Sequence, residues 1–287
     1  MDVFITLTIN GIATGMLIFL LAAGLSLIFG LMKVMNFAHG SFFMLGAYMG
    51  TWCYVSSGSF LLSIVLGVIS GAVVGLIVER LVISRVYNNH LGQVLITVGV
   101  MMLLNELIKV VWGPNVIASP VPPALSGLLE VGGISISIYK LFIIAFALSV
   151  TLLVNLILNR SRLGMIIRAG TQNPEMVKAL GIRIESFFSL VFLFGTALAA
   201  LGGVLMGPAQ NQVGSYYQQY MMLGFIVVVI GGMGSFTGAM LSGILIGLVS
   251  NYVAWVFPEA AMAVNVLLMA VILLIKPEGL FSVGGKA

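Results

Sequence analysis

Residues 4–31 read FITLTINGIATGMLIFLLAAGLSLIFGL, an apolar run of 28 positions that decides between three kinds of chain. A secretory signal has an apolar core of only about 7–15 residues behind a basic lead. Here Met1-Asp2-Val3 supplies no base, and no clear cleavage site follows. A soluble core helix is equally poorly matched, because about 20 apolar residues already suffice to cross ~30 Å of hydrocarbon. The run reads as a membrane span.

The rest of the chain repeats it. Apolar segments recur at 37–55, 60–83, 91–112, 139–158, 187–207, 216–233, 237–257 and 260–275, in a sequence that is 61% hydrophobic and 7% charged. Soluble domains carry about 25% charged residues. These nine segments predict an all-α polytopic membrane protein. The long first run and the short last ones leave eight to ten transmembrane helices open. Nothing marks a second domain, so residues 1–287 form one transmembrane unit.

Charge fixes the orientation. Lys33, Arg80, Arg85, Arg160, Arg162, Arg168, Lys178, Arg183, Lys276 and Lys286, ten of the twelve basic residues, fall in loops or tails on one side; Lys109 and Lys140 are left over. Lys and Arg are retained in short cytoplasmic loops. The C-terminus is therefore expected in the cytoplasm and the N-terminus outside. The same bias accounts for the net charge of +4 without a nucleic-acid partner. On the outer side, residues 113–138 hold four of the eight prolines and read as an ordered loop ending in a strand-like GGISISI.

Several chemistries have no residues to carry them. There is no Gly-x-x-x-x-Gly-Lys-Ser/Thr phosphate loop, no Gly-x-Ser-x-Gly and no paired carboxylates, so no catalytic residue is assigned. His39 and His90 stand far apart without cysteine or carboxylate companions, which argues against a metal site, and Cys53 is the single cysteine. Within the apolar segments the ionisable groups reduce to His39, Glu106 and Lys109, with Glu79, Arg80 and Lys140 at segment ends. Proton-coupled pumps need buried titratable groups.

Glycines repeat four apart at Gly67, Gly71 and Gly75, and again at Gly46/Gly50, Gly234/Gly238 and Gly243/Gly247. That spacing stacks them on one helix face and predicts close helix–helix packing inside the chain. HGSFFMLGAYMG (39–50) and MGSFTGAMLSG (233–243) also echo one another, suggesting paired broken helices.

The largest polar stretch, NRSRLGMIIRAGTQNPEMVKALGIRIESF (159–187), concentrates five bases. Asn173-Pro174-Glu175 opens like a helix: Asn is a good N-cap, Pro suits the first turn, and Glu complements the positive helix end. Gly181 would close it after two turns. The segment Glu175-Met176-Val177-Lys178-Ala179-Leu180-Gly181 resembles the EAA---G cytoplasmic loop of ABC importer permeases, with Met176 and Val177 in place of the two alanines. KVMNFAHGSFFMLGAYMG (33–50), RAGTQNPEMVKALGI (168–182), GGMGSFTGAMLSGILIG (231–247) and KPEGLF (276–281) join it. In this order they resemble the permease family of branched-chain (hydrophobic) amino acid ABC importers over essentially the whole chain.

The resemblance implies an ABC-permease fold with broken or half helices in a bacterial cell (inner) membrane. The cytoplasmic loop 159–187 would be a coupling element, with Arg168, Asn173, Glu175, Ala179 and Gly181 meeting an ATPase. The implied partners are a second homologous permease subunit, two cytoplasmic ATPases that carry the ATP and Mg, a periplasmic or lipid-anchored binding protein, and surrounding lipid. No cofactor falls on this chain. A zwitterionic solute passes best along helix ends and hydroxyls that offer partial charges. Asn36, His39, Gly40, Ser41, Thr97, Asn105, Gly232, Gly234 and Ser235 are the candidates. For Asn36 and His39 helix capping competes with that role, for Thr97 a bond to its own helix, and for Glu106 a local pair with Lys109. Urea, amides or small aromatic carboxylates are alternative solutes, and an autonomous channel or secondary transporter is the more distant alternative.

Overall fold

A computed structural model describes residues 2–281 except Asn88, Asn173, Ile182, Arg183, Ser215 and Tyr216. The opening run becomes α1 (Asp2–Met32), followed by α2 (His39–Ser57), α3 (Phe60–Leu81) and α4 (His90–Trp112). The connection between α4 and α5 contains β1 (Ile117–Ala118) and a hairpin of β2 (Leu128–Val131) and β3 (Ile134–Ser137). Then come α5 (Ile138–Arg160), α6 (Arg162–Gln172), α7 (Pro174–Ala179), α8 (Ile184–Gln210), β4 (Gln212–Val213), α9 (Tyr217–Gly231), α10 (Phe236–Val256) and α11 (Ala261–Ile275). Each of the nine apolar segments is a helix. Six of them (α1, α3, α4, α5, α8 and α10), and α11 taken with the short turn before it as Pro258–Ile275, are long and apolar enough to cross a membrane; α9 is shorter than these spans, and α2 is the less apolar one. Its Gly, Ser, Thr and Tyr residues are tolerated because most of α2 is buried against other helices.

α1 is the axis of the bundle. From Met16 to Leu25 every side chain is buried, as expected for a helix apolar all round. Small residues let its neighbours close in: a Cβ on Gly15 would lie 2.6 Å from the Gly243 carbonyl oxygen of α10. α8 lies against α1, α2 and α3. The predicted glycine stripe of α3 does pack inside the chain, with Gly67, Gly71 and Gly75 seated on Val204, Ala200 and Thr196 of α8. On the opposite face of α3, Leu61, Val65, Ile69, Val73 and Ile77 are exposed at four-residue spacing, a lipid-facing stripe.

The strand-like expectation for GGISISI holds for Ile134–Ser137, paired antiparallel with Leu128–Val131. Gly132 and Gly133 form the two-residue turn, both at positive φ (+60° and +84°), as this class of hairpin requires. β1 pairs with β4, Ile117 opposite Val213, tying the α4–α5 connection to the end of α8.

Candidate functional site

Three places gather the residues singled out by the sequence: the α5–α8 loop and two breaks in the helical bundle.

The loop begins with a sharp corner. α5 ends at Arg160, and the Ser161 hydroxyl accepts a hydrogen bond from Gly164 N (3.1 Å), capping α6. Gly164 is wedged against α5: a Cβ there would collide with the Leu158 carbonyl. α6, which carries Arg168, was not expected as a helix; the loop sequence announced only α7. α7 runs from Pro174 to Ala179 with Glu175 in its first turn, while Asn173 lies outside the described residues. The Leu180 amide bonds the Met176 carbonyl (3.2 Å), and Gly181 leaves at φ +77°, the left-handed conformation that ends helices. Val177 is buried at 3% exposure, whereas Met176 (60%) and Leu180 (72%) are open. Glu175, Ala179 and Gly181 are exposed beside them.

The first break separates α1 from α2. Lys33 adopts φ 55°, and the chain turns inward instead of starting α2 at the level where α1 ends. His39 Nε2 donates to the Leu21 carbonyl (3.1 Å), about three turns back along α1. Asn36 Oδ1 accepts from the Ala38 amide (3.0 Å), and its carbonyl accepts from His39 N (3.2 Å). Asn36 and His39 are both at 0% exposure, so they start a buried helix end. Gly40 faces Met221 of α9, whose Cβ would lie 2.8 Å from an added Cβ.

On the other side of α2, Ser41 Oγ donates to Asn105 Oδ1 of α4 (2.9 Å). Thr97 donates to Gln93 O of its own helix (2.7 Å), as anticipated, and reaches Met35 O at 3.4 Å. Asn105 is half-buried at this α2–α4 seam. Glu106 and Lys109 pair locally at 2.6 Å on the exposed face of α4.

The second break separates α9 from α10. Gly232 (φ +92°) and Gly234 (φ +89°) reverse the chain, and Ser235 Oγ accepts from Gly238 N (3.1 Å) to cap α10. The break leaves carbonyls at the end of α9 without helical donors. The terminal KPEGLF supplies them: Leu280 N bonds Ile230 O (2.8 Å) and Phe281 N bonds Gly231 O (3.3 Å). Sequence reading had no signal for this cap, which joins residues about fifty positions apart. The two echoing motifs differ in conformation. Gly40 is helical and Ser41 reaches across to α4, whereas Gly234 is left-handed and Ser235 caps its own helix. Gly234 in turn presses on Gly30, so both breaks rest on α1.

The chain has relatives of known class. High-affinity branched-chain amino acid transport system permease protein LivH of Escherichia coli (strain K12) is 27% identical over 299 residues, covering 96% of this chain and 95% of that protein. The permease protein BraD of the high-affinity branched-chain amino acid transport system of Pseudomonas aeruginosa is 27% identical over 289 residues, covering 95% and 94%. Galactose/methyl galactoside import permease protein MglC of Escherichia coli is 26% identical over 197 residues, covering 65% of this chain and 56% of that protein. Residues 7–275 match the family described as branched-chain amino acid transport system, permease component. This multi-pass membrane chain, expected from its motifs to be such a permease, belongs to that family.

Proposed function

We propose that the chain is the membrane-spanning subunit of an ATP-driven ABC importer for branched-chain amino acids, with the basic end in the cytoplasm of a bacterial cell (inner) membrane. One observation carries the reading. The tip of the α5–α8 loop exposes Met176 and Leu180 beside Glu175, while Val177 of the same helix is buried. An apolar tip amid bases is suited to a protein partner. A cytoplasmic ATPase bearing ATP and Mg is the partner proposed, with Arg168, Asn173, Glu175, Ala179 and Gly181 as the residues proposed to meet it. A second permease subunit, a second ATPase and an extracytoplasmic binding protein complete the importer.

The loop is built as a lever. Its entry corner is rigid because Gly164 leaves no slack against Leu158, and α8 begins three positions after Gly181. Displacing α7 therefore moves α8, which lies against α1, α2 and α3 and so touches the first break. Tilting packed helices is a recognised route from a closed to an open path. The passage is proposed along the α2–α4 seam, where Ser41, Thr97 and Asn105 offer hydroxyl and amide groups without fixed charge. Asn36, His39 and Gly40 hold one wall of it in place, and Gly232, Gly234 and Ser235 set the second break.

Uptake of labelled leucine by vesicles carrying the assembled importer tests the substrate. Unlabelled leucine, isoleucine and valine in excess are each expected to suppress it, while urea and benzoate leave it unchanged. Suppression by urea or benzoate alone would reassign the solute.

A further inference from the structure

Glu79 stands in the last turn of α3 at 2% exposure. Its carboxylate takes two hydroxyl donors from two other elements. Tyr87, in the connection between α3 and α4, donates to Oε1, and Ser189 of α8 donates to Oε2 (2.7 Å). The Tyr87 ring also meets Phe188 edge-on at 5.3 Å. Phe188 and Ser189 lie in the opening turns of α8, which begins at Ile184 just after the Gly181 turn. A single buried carboxylate thus joins the end of α3, the start of the α4 connection and the exit of the loop.

Burying a carboxylate costs several kcal/mol unless its lone pairs are satisfied. Hydroxyl donors to an ionised acceptor make bonds roughly twice as strong as neutral ones. Packing alone would be served by an apolar residue at this position. We propose that Glu79 is a positioning residue that carries displacement of the α6–α7 loop from α8 into the α3–α4 connection and α4. α4 bears Thr97, which reaches Met35 O in the first break, and Asn105, which meets Ser41 of α2, so the junction links the loop to the passage. Without it, α3 still follows α8 through its glycine face, while the α3–α4 connection and α4 stay behind.

The proposal rests on the ATP-driven reading, and the test separates the two. Leucine uptake and ATP hydrolysis are measured together in proteoliposomes holding equal amounts of assembled importer. For Glu79→Ala and Ser189→Ala, hydrolysis is expected to persist while leucine moved per ATP falls about tenfold, the effect of losing one hydrogen bond to a charged group. Glu79→Gln, which keeps an acceptor, is expected to retain most of the wild-type ratio. The double variant is expected to be no worse than either single one, as for two residues acting through one contact. If Glu79→Ala does not assemble, Ser189→Ala and Tyr87→Phe, each removing one hydroxyl, decide by the same ratio. An unchanged ratio in these variants, or losses that multiply in the double variant, would overturn the proposal. Wild-type uptake that consumes no ATP would overturn the importer reading itself.

Discussion

Leucine in place of Gly181 is expected to abolish ATP-driven uptake and to release the ATPase from the purified complex, while the chain still inserts and folds. The reason is conformational. Gly181 sits at φ +77° with nothing among the described residues within 4 Å of an added Cβ, so a side chain there meets strain more than crowding. The left-handed conformation costs an L-residue about 1–2 kcal/mol. α7 has six residues and no stability of its own, since isolated helices shorter than about 12 residues are marginal. That penalty is enough to unwind its last turn and to displace Leu180 and Met176 from their exposed positions. The bundle is spared because α7 packs chiefly on α6, away from the packing of α8 against α1, α2 and α3. Gly181→Asn, which tolerates the left-handed region, is expected to restore most uptake. Glu175→Lys places a positive charge at the positive end of α7 and is expected to behave like Gly181→Leu. Co-purification of ATPase with the tagged chain, beside uptake, reads both effects. Full ATPase retention in Gly181→Leu would remove the docking role from this tip.

Valine at Gly203 is expected to prevent folding altogether. α2 and α8 approach until glycines on each face the partner's backbone: a Cβ on Gly203 would overlap the Phe43 carbonyl oxygen, and one on Gly46 would overlap that of Ala200. Overpacking a core costs about 1–3 kcal/mol when side chains yield. Here a backbone carbonyl is struck, and two helices must separate along their whole contact. A stable monodisperse species in detergent is expected for wild type and absent for Gly203→Val. Gly99→Ala is the control. Gly99 is helical with open space at its Cβ, so alanine is expected to be neutral or slightly stabilising. A Gly203→Val chain that purifies and melts like wild type would show the α2–α8 contact to be wrong.

The readable parts of this chain are those written locally. Length alone marks the nine helices, and spacing alone puts Gly67, Gly71 and Gly75 on one buried face. Pro174, Glu175 and Gly181 delimit α7 because caps act within a turn. α6 escaped notice because Arg162, Gly164, Arg168 and Gly170 break the apolar periodicity that identifies a membrane helix, and a surface helix needs none. Other features depend on contacts that no local pattern encodes. His39 finds Leu21 only because α2 starts deep beside α1, and Glu79 finds Ser189 across 110 positions. The terminal cap on α9 is of the same kind. The Gly-Ser-Phe echo marks a helix that starts after a break in both places, but not a shared backbone. Glycine permits both signs of φ, so identical letters at Gly40 and Gly234 specify different backbones.

The most direct measurement places the purified chain in proteoliposomes, alone and together with its ATPases and binding protein, and follows leucine against a concentration gradient. Accumulation is expected only from the assembled importer and only with ATP. Accumulation by the chain alone, with no nucleotide present, would contradict a permease driven through its α5–α8 loop.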